Sequence, residues 1–342
     1  MKSDLVLDDI NQVISDPKIL SQGYIVRNGF VFKALNMPYN IFNAIVIRVP
    51  FDARYFGDAL PISARTLDEH IACINENDIE SVILIADDLC FLDKLPIIKH
   101  LSVTPSINAI DDFDFSPLYE LNYILSLRCQ TNYGKYDEKK ANMDYSKMKG
   151  LQYLCVKTPN DLNYENILTL LSLSITNGKS VDLKRMFSST NLDSLNLTSC
   201  KIRSLSGIER APKMQCLYLR YNRCLQDISS LFYVKDTLKA LYIDRCSKIC
   251  DYSVLSEMTN LEYLYLNGSN SIPNLSFLKQ MPNLKTLICG LKVDDGDLSQ
   301  CLNLSYAYFG KMRNHYNLKM QDLPHGEFFR GNDNIEPWRR LH

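Results

Sequence analysis

The second half of the chain repeats one arrangement of apolar and polar positions, L-x-x-L-x-L-x-x-N/C, where x is any residue. Leu192, Leu195, Leu197 and Cys200 fill it in LDSLNLTSC, and Met214, Leu217, Leu219 and Asn222 fill it in MQCLYLRYN. Leu238, Leu241, Ile243 and Cys246 follow in LKALYIDRC, then Leu261, Leu264, Leu266 and Ser269 in LEYLYLNGS. Leu284, Leu287 and Cys289 fit LKTLICG, and Leu302 opens a degenerate last unit, LNLSYAYFG. Successive starts stand 22, 24, 23, 23 and 18 residues apart. Alternation inside each unit predicts a short strand whose Leu side chains point inward and whose x residues point outward. The Asn or Cys that follows should turn the chain and sit inside, bonded to neighbouring backbone. A second apolar set, such as Ile228, Leu231 and Val234 or Leu275, Leu278 and Met281, marks a return limb. No such unit buries its apolar face alone, so stacking must supply the core.

Weaker copies run toward the N-terminus. Leu168, Leu171 and Leu173 fit, as do Leu151, Leu154 and Val156, and Asn122, Leu125 and Leu127 in the same frame. Ile98, Leu101 and Val103 match again, and Ile79, Val82 and Leu84 make the first unit. Spacings here are uneven, at 19, 24, 29, 17 and 24 residues, and the longest interval holds TNYGKYDEKKANMDYSK, a polar surface loop. Residues 1–78 leave the period. SQGYIVRNGFVFKAL reads as a hairpin turning at Asn28-Gly29, and FNAIVIRVP as another strand. ARTLDEHIACINEN has helical spacing, with Thr66 as N-cap and Glu69 three residues on. The organisation expected is a small α/β cap over 1–78 and repeats over 79–310, irregular before 190 and regular from 192. A C-terminal cap over 311–342 carries Phe328, Phe329 and Trp338 and should fold back over the last repeat.

A 20- to 29-residue period of this form is that of leucine-rich repeats. DISSLFYVKDTLKALYI, DYSVLSEMTNLEYLYL and NLSFLKQMPNLKTLIC share a "(D/N)-hydroxyl-x-Leu … x-Asn-Leu-x-x-Leu" layout. In this they resemble the short bacterial repeats of the internalin type. The resemblance spans roughly residues 79 to 310 and is specific across 192 to 290. It implies an α/β fold: a curved solenoid with a parallel β-sheet on its concave face and short helices, 3-10 turns and loops on its convex face. It also implies a habit of binding proteins.

On the outward face, the x positions line up as columns. One reads Tyr218, Tyr242, Tyr265, Ile288, Tyr306, and two positions later come Arg220, Asp244, Asn267, Gly290, Tyr308. The next column reads Tyr221, Arg245, Gly268, Leu291, Phe309. With Tyr263 on the same strand as Tyr265, these make a candidate partner-binding surface of aromatic rings with Arg and Asp between them. Strands about 4.8 Å apart would hold such residues as ladders, and Tyr and Arg are enriched at binding hot spots. Stacked tyrosines would equally stabilise the sheet, and the two roles are compatible. Toward the N-terminus the face turns more polar, with Asp193, Ser194, Asn196 and Thr198.

Composition narrows the function. With 38 Lys+Arg against 39 Asp+Glu the formal net charge is -1, which argues against phosphate-backbone binding and so against nucleic acid as partner. The N-terminal MKSDLVLDDINQVISD has acidic residues where a secretory signal needs an apolar core, and the longest apolar runs, such as 82–86, are too short for a membrane span. The expectation is a cytoplasmic, bacterial protein whose 11 cysteines are reduced thiols. No catalytic, cofactor or metal motif emerges. The histidines (70, 100, 315, 325, 342) neighbour no Cys or Ser nucleophile motif, Cys246 and Cys250 have no second pair, and the 177–180 stretch NGKS lacks the upstream glycine of a phosphate loop. What remains is a non-catalytic solenoid that captures a protein, among which an immunity protein occluding a toxin is one candidate and an intracellular scaffold bridging two proteins another. An enzyme with its site in the N-terminal 78 residues is the remaining alternative.

Overall fold

The structure, a computed structural model, describes residues 24–37, 40–49, 65–106, 109, 113–121, 123–130, 143–157, 167–178, 181–186 and 191–328. The chain divides between Thr169 and Leu170 into two compact units.

In the first unit, β1 (Tyr24–Arg27), β2 (Phe30–Met37) and β3 (Asn40–Val49) form an antiparallel meander. Asn28 and Gly29 turn β1 into β2 with φ of 46° and 83°. Both central residues are left-handed, as the two-residue turn matched to strand twist requires. Helix α1 (Leu67–Glu76) then carries the chain to β4 (Ser81–Ala86), which pairs parallel with β3. Its start is the capping box expected from sequence: Thr66 Oγ1 accepts from Glu69 N at 3.3 Å, and Glu69 Oε2 accepts from Thr66 N at 2.7 Å. From β4 the pairing stays parallel through β5 (His100–Pro105), β6 (Ser126–Gln130) and β7 (Tyr153–Lys157). A single 3-10 turn separates each of these strands from the next, at Leu92–Lys94, Ser116–Glu120 and Tyr145–Lys147. Buried inward pairs Val82/Leu84, Leu101/Val103, Leu127/Cys129 and Leu154/Val156 stack in register to form the core.

The second unit follows the same plan more regularly. Its strands are β8 (Ser172–Thr176), β9 (Ser194–Thr198), β10 (Cys216–Arg220), β11 (Ala240–Asp244), β12 (Tyr263–Asn267), β14 (Thr286–Cys289) and β16 (Tyr306–Phe309). All pair parallel and in chain order. Two-residue strands β13 (Ser271–Ile272) and β15 (Lys292–Val293) pair separately. Return limbs are short: α2 (Leu183–Met186), then 3-10 turns at Ile208–Arg210, Ser229–Val234, Ser253–Glu257, Ser276–Gln280 and Ser299–Asn303. The "(D/N)-hydroxyl" signature, with one residue between the Asp or Asn and its serine, starts four of these turns. Ser229, Ser253, Ser276 and Ser299 N–H groups donate to the side chains of Asp227, Asp251, Asn274 and Asp297 at 2.8, 2.8, 2.9 and 3.0 Å.

Register shows that three units begin two residues later than the spacing suggests. Leu173 pairs with Leu195 and Leu127 with Leu154, so their frames are Leu170, Leu173, Ile175 and Ile124, Leu127, Cys129. All six side chains are buried, whereas Leu168 is 68% exposed. Ala307 pairs with Leu287 and Phe309 with Cys289, so the last unit opens at Leu304, and Leu302 is exposed. Ser269, expected inside, is also exposed.

What ties β8 to β11 in register is a side-chain ladder at the turns after β9, β10 and β11. Cys200 Sγ reaches Ile175 O at 3.5 Å, Asn222 Nδ2 donates to Leu197 O at 2.8 Å, and Cys246 Sγ reaches Leu219 O at 3.5 Å. Each thus binds the same carbonyl of the preceding strand. Asn222 does more, because its Oδ1 also accepts from Cys200 N at 2.7 Å in a fully buried site. Removing that amide leaves a buried donor and a buried acceptor without their partner, at about 1–3 kcal/mol each. Asn222→Ala is therefore expected to lower the unfolding free energy by about 2–6 kcal/mol, and Cys246→Ala, which loses only weak thiol bonds, by about 1 kcal/mol. Urea denaturation of the two variants checks this; equal losses would contradict it.

Candidate functional site

Strands β10 to β12 hold the aromatic ladder. Tyr218, Tyr242 and Tyr265 are direct register partners, all half-buried. Tyr242 lies on Tyr265 with ring centroids 3.9 Å apart and planes 12° from parallel, while Tyr218 and Tyr242 stand 5.8 Å apart at 36°. Burial, and next the adjacent Tyr265 hydroxyl, push the Tyr242 phenol above the ordinary tyrosine range, so it remains a neutral hydrogen-bonding group.

Two positions on, Arg220, Asp244 and Asn267 form the next column. The Asp244 side chain is only 6% exposed. Asn267 Nδ2 donates to its Oδ1 at 2.8 Å, Arg220 Nε stands 3.6 Å from its Oδ2, and Arg245 Nε stands 4.0 Å from its Oδ1. Arg220 lies over the Tyr221 and Tyr242 rings at 5.7 and 5.8 Å, and Arg245 over Tyr221 at 5.3 Å. Arg245 Nη1 also donates to Tyr221 Oη at 3.1 Å.

Tyr221 and Arg245 occupy the turn position that follows each strand, and there the backbone is left-handed: φ is 53° and 52°. Asn177 and Ser199 hold the same slot in the two preceding repeats. Asn tolerates this conformation, but a bulky side chain in it costs on the order of 1 kcal/mol.

The remaining candidates separate. Tyr263 pairs with Ala240 and Thr286 and is 3% exposed. Tyr306 pairs with Thr286, so it shares the Tyr263 column rather than that of Tyr265; Tyr308, opposite Ile288 and 42% exposed, takes the place assigned to it. Leu291 and Phe309, placed outward from the sequence, are buried. The cover over Tyr263 and Tyr306 comes from Phe328, whose ring lies 6.4 and 4.9 Å from theirs. Pro324 O accepts from Ala307 N at 3.0 Å and Ser305 O from Gly326 N at 2.9 Å, which fastens this segment beside β16. Residues 324–328 of the C-terminal segment pack beside the last repeat; Phe329 and Trp338 lie outside the described residues. The polar residues nearer the N-terminus, Ser172, Ser174, Ser194 and Asn196, are buried rather than open.

Several other chemistry-bearing groups are buried. Burial pushes the Cys200, Cys289 and Cys301 thiols up to about 12 and Cys246 to about 11, far from the thiolate form a nucleophile or metal ligand needs. None of the 11 cysteines is joined in a disulfide. Burial takes His100 down to about 4, its Nδ1 2.9 Å from Ser126 Oγ. Among the described residues no group of three or more His, Cys, Asp or Glu is placed to hold a metal ion, and no helix is long and apolar enough to cross a membrane. At the opposite ends of the strands a groove of about 950 Å³ is lined by Asp193, Gln215, Lys239, Glu262, Lys285 and Ser305, among others.

The register, the turn ladder and the Asx-started return limbs give the second unit a leucine-rich-repeat fold. No family model matches the sequence, and no curated protein matches it. Among solved structures it is similar to an internalin of Listeria monocytogenes, at 18% identity over 69% of this chain and 72% of that one, with a TM-score of 0.45. A leucine-rich-repeat protein of Leptospira interrogans aligns at 17% identity over 68% of this chain and 67% of that one, with a TM-score of 0.46. The Toll–Spätzle complex of Drosophila aligns at 15% identity over 84% of this chain and 46% of that one, with a TM-score of 0.48. At such identities these likenesses say nothing about a ligand.

Asp193 gives the groove a pH signature. Burial raises its carboxyl from 3.8 to about 6. A raised carboxyl means the folded protein binds its proton more tightly than the unfolded chain, so its contribution favours folding at low pH and is lost as pH rises from about 4 to 6. Asp193→Asn should become progressively more stable than the parent across that window and keep a constant advantage above it. Urea midpoints measured from pH 4 to 7.5 test this, and a difference independent of pH would contradict it.

Proposed function

We propose that this protein is a non-catalytic binding module that captures a protein partner on the outward face of β10–β12. The observation that carries the reading is the Tyr218–Tyr242–Tyr265 ladder beside the Arg220, Asp244 and Arg245 cluster: stacked, half-exposed rings bordered by charge. Rings held by neighbours lose little conformational freedom on binding, so their contact area converts well into affinity. Tyr308 extends the surface on the last strand, whereas Tyr263 and Tyr306 sit under Phe328 and support it from below.

Within this reading we favour an inhibitor that captures a bacterial toxin in the cytoplasm and covers a surface the toxin needs. A rigid face acting by steric occlusion requires no reacting group of its own. A scaffold bridging two proteins is the second reading, and a specific observation favours it. Phe232 and Tyr233 are 45% and 65% exposed on the 3-10 limb of the same repeats, away from the sheet.

Tyr242→Ala combined with Tyr265→Ala tests the binding face. Hot-spot tyrosines are worth about 2 kcal/mol or more each, so the pair should weaken capture by roughly 100-fold or more while the circular dichroism spectrum stays unchanged. Affinity capture from cells that make the protein, comparing parent and double variant, reads the result. Undiminished recovery of the partner would remove this face from the account. Loss on Phe232→Ala with Tyr233→Ala instead would move the site to the return limb.

A further inference from the structure

We infer that the segment captured on this face is acidic, and that an Asp or Glu carboxylate of the partner docks on the Arg245 guanidinium over the Tyr221 ring. The inference rests on the binding reading above and names the chemistry of the occupant. Charge decides its sign. Among the described residues, the outward positions of the long-sheet strands β8–β12, β14 and β16 carry two charged side chains, Arg220 and Asp244, which face each other at 3.6 Å. Arg245 adds a second positive charge that shares the one Asp244 carboxylate with Arg220. Its nearest carboxylate, Asp244, is 4.0 Å away and already serves Asn267 and Arg220. At 6% side-chain exposure Asp244 offers a basic partner no counter-charge, while Arg245 is 62% exposed.

Geometry then makes Arg245 a receptor rather than a solvated charge. Tyr221 holds the guanidinium by one N–H···O bond of 3.1 Å and by its ring face at 5.3 Å. A guanidinium has five N–H donors in a planar fork, and one of these is spent on Tyr221. The rest form a pre-oriented edge that matches the two oxygens of a carboxylate.

Backbone conformation is the independent observation. The slot after β8, β9, β10 and β11 is left-handed, at Asn177, Ser199, Tyr221 and Arg245. Side chains that suit this slot are available in this very chain, yet the two adjacent repeats beneath the tyrosine ladder carry Tyr and Arg instead. Strained residues that touch each other at the edge of a candidate surface are where function is expected to hold the strain in place.

The test uses the full chain as bait for a phage display of random twelve-residue peptides, with parent, Arg245→Asn and Tyr242→Ala/Tyr265→Ala forms run in parallel. Arg245→Asn removes the charge but keeps a residue at ease with positive φ, so it should be folded and no less stable than the parent. The expected result is peptides enriched in Asp and Glu over the starting library. Their affinity should fall about tenfold or more on Arg245→Asn and weaken as salt rises from about 0.05 to 0.5 M. Enriched peptides without acidic excess, or binding unaffected by Arg245→Asn, would overturn the acidic occupant while leaving the binding face intact. No enrichment over the tyrosine double variant would overturn both.

Discussion

The interaction on which the second unit depends is the bond from a buried turn side chain to the carbonyl of the strand before it. Apolar stacking supplies the bulk of the stability, but it is non-directional. An inward leucine would be content against any inward neighbour. The Cys200, Asn222 and Cys246 contacts to Ile175, Leu197 and Leu219 carbonyls add the direction. They tie each turn to a particular point on the preceding strand, and so fix which outward residue faces which. Arg220 faces Asp244 because the Cys246 tie holds β11 on β10, and the parallel β11–β12 ladder carries that register on to set Tyr242 on Tyr265.

Most of the fold was legible in the sequence for that same reason. Where the ninth position is Asn or Cys, as in the units from Leu192, Met214 and Leu238, frame and register agree. Misframing occurred where leucines recur at two-residue spacing: Leu168 with Leu170, Leu125 with Leu127, Leu302 with Leu304. A strand has period two, so a slip of two residues keeps every inward position inward, and hydrophobic pattern alone cannot detect it. Only the turn residue can. In the frame opening at Ile124 the ninth position is Asn132, a signal that the sequence carried and that the leucine count overrode. The hairpin at Asn28-Gly29 and the Thr66 capping box, in contrast, are local chemistry and read directly.

The candidate site was legible in its columns and not in its depth. Adjacent strands bring Tyr218, Tyr242 and Tyr265 together simply because their repeats share a period. Whether a column is open depends on what crosses it. Phe328 reaches Tyr263 from a segment far along the chain, a contact that no local pattern encodes. Asp244 reads as an exposed acid in sequence but is closed in by Arg220, Asn267 and Arg245. That enclosure turns a neutral-looking Arg-Asp pair into a surface of positive sign.

The central claim is the outward register, and a double-mutant cycle on stability tests it without any ligand. Tyr242→Ala and Tyr265→Ala should couple by about 0.5–1.5 kcal/mol, the worth of a stacked ring pair, while Tyr242→Ala and Tyr308→Ala, three strands apart, should be additive within about 0.5 kcal/mol. Additivity of the Tyr242 and Tyr265 substitutions would mean that the two rings do not face each other, and the account would fail at its base.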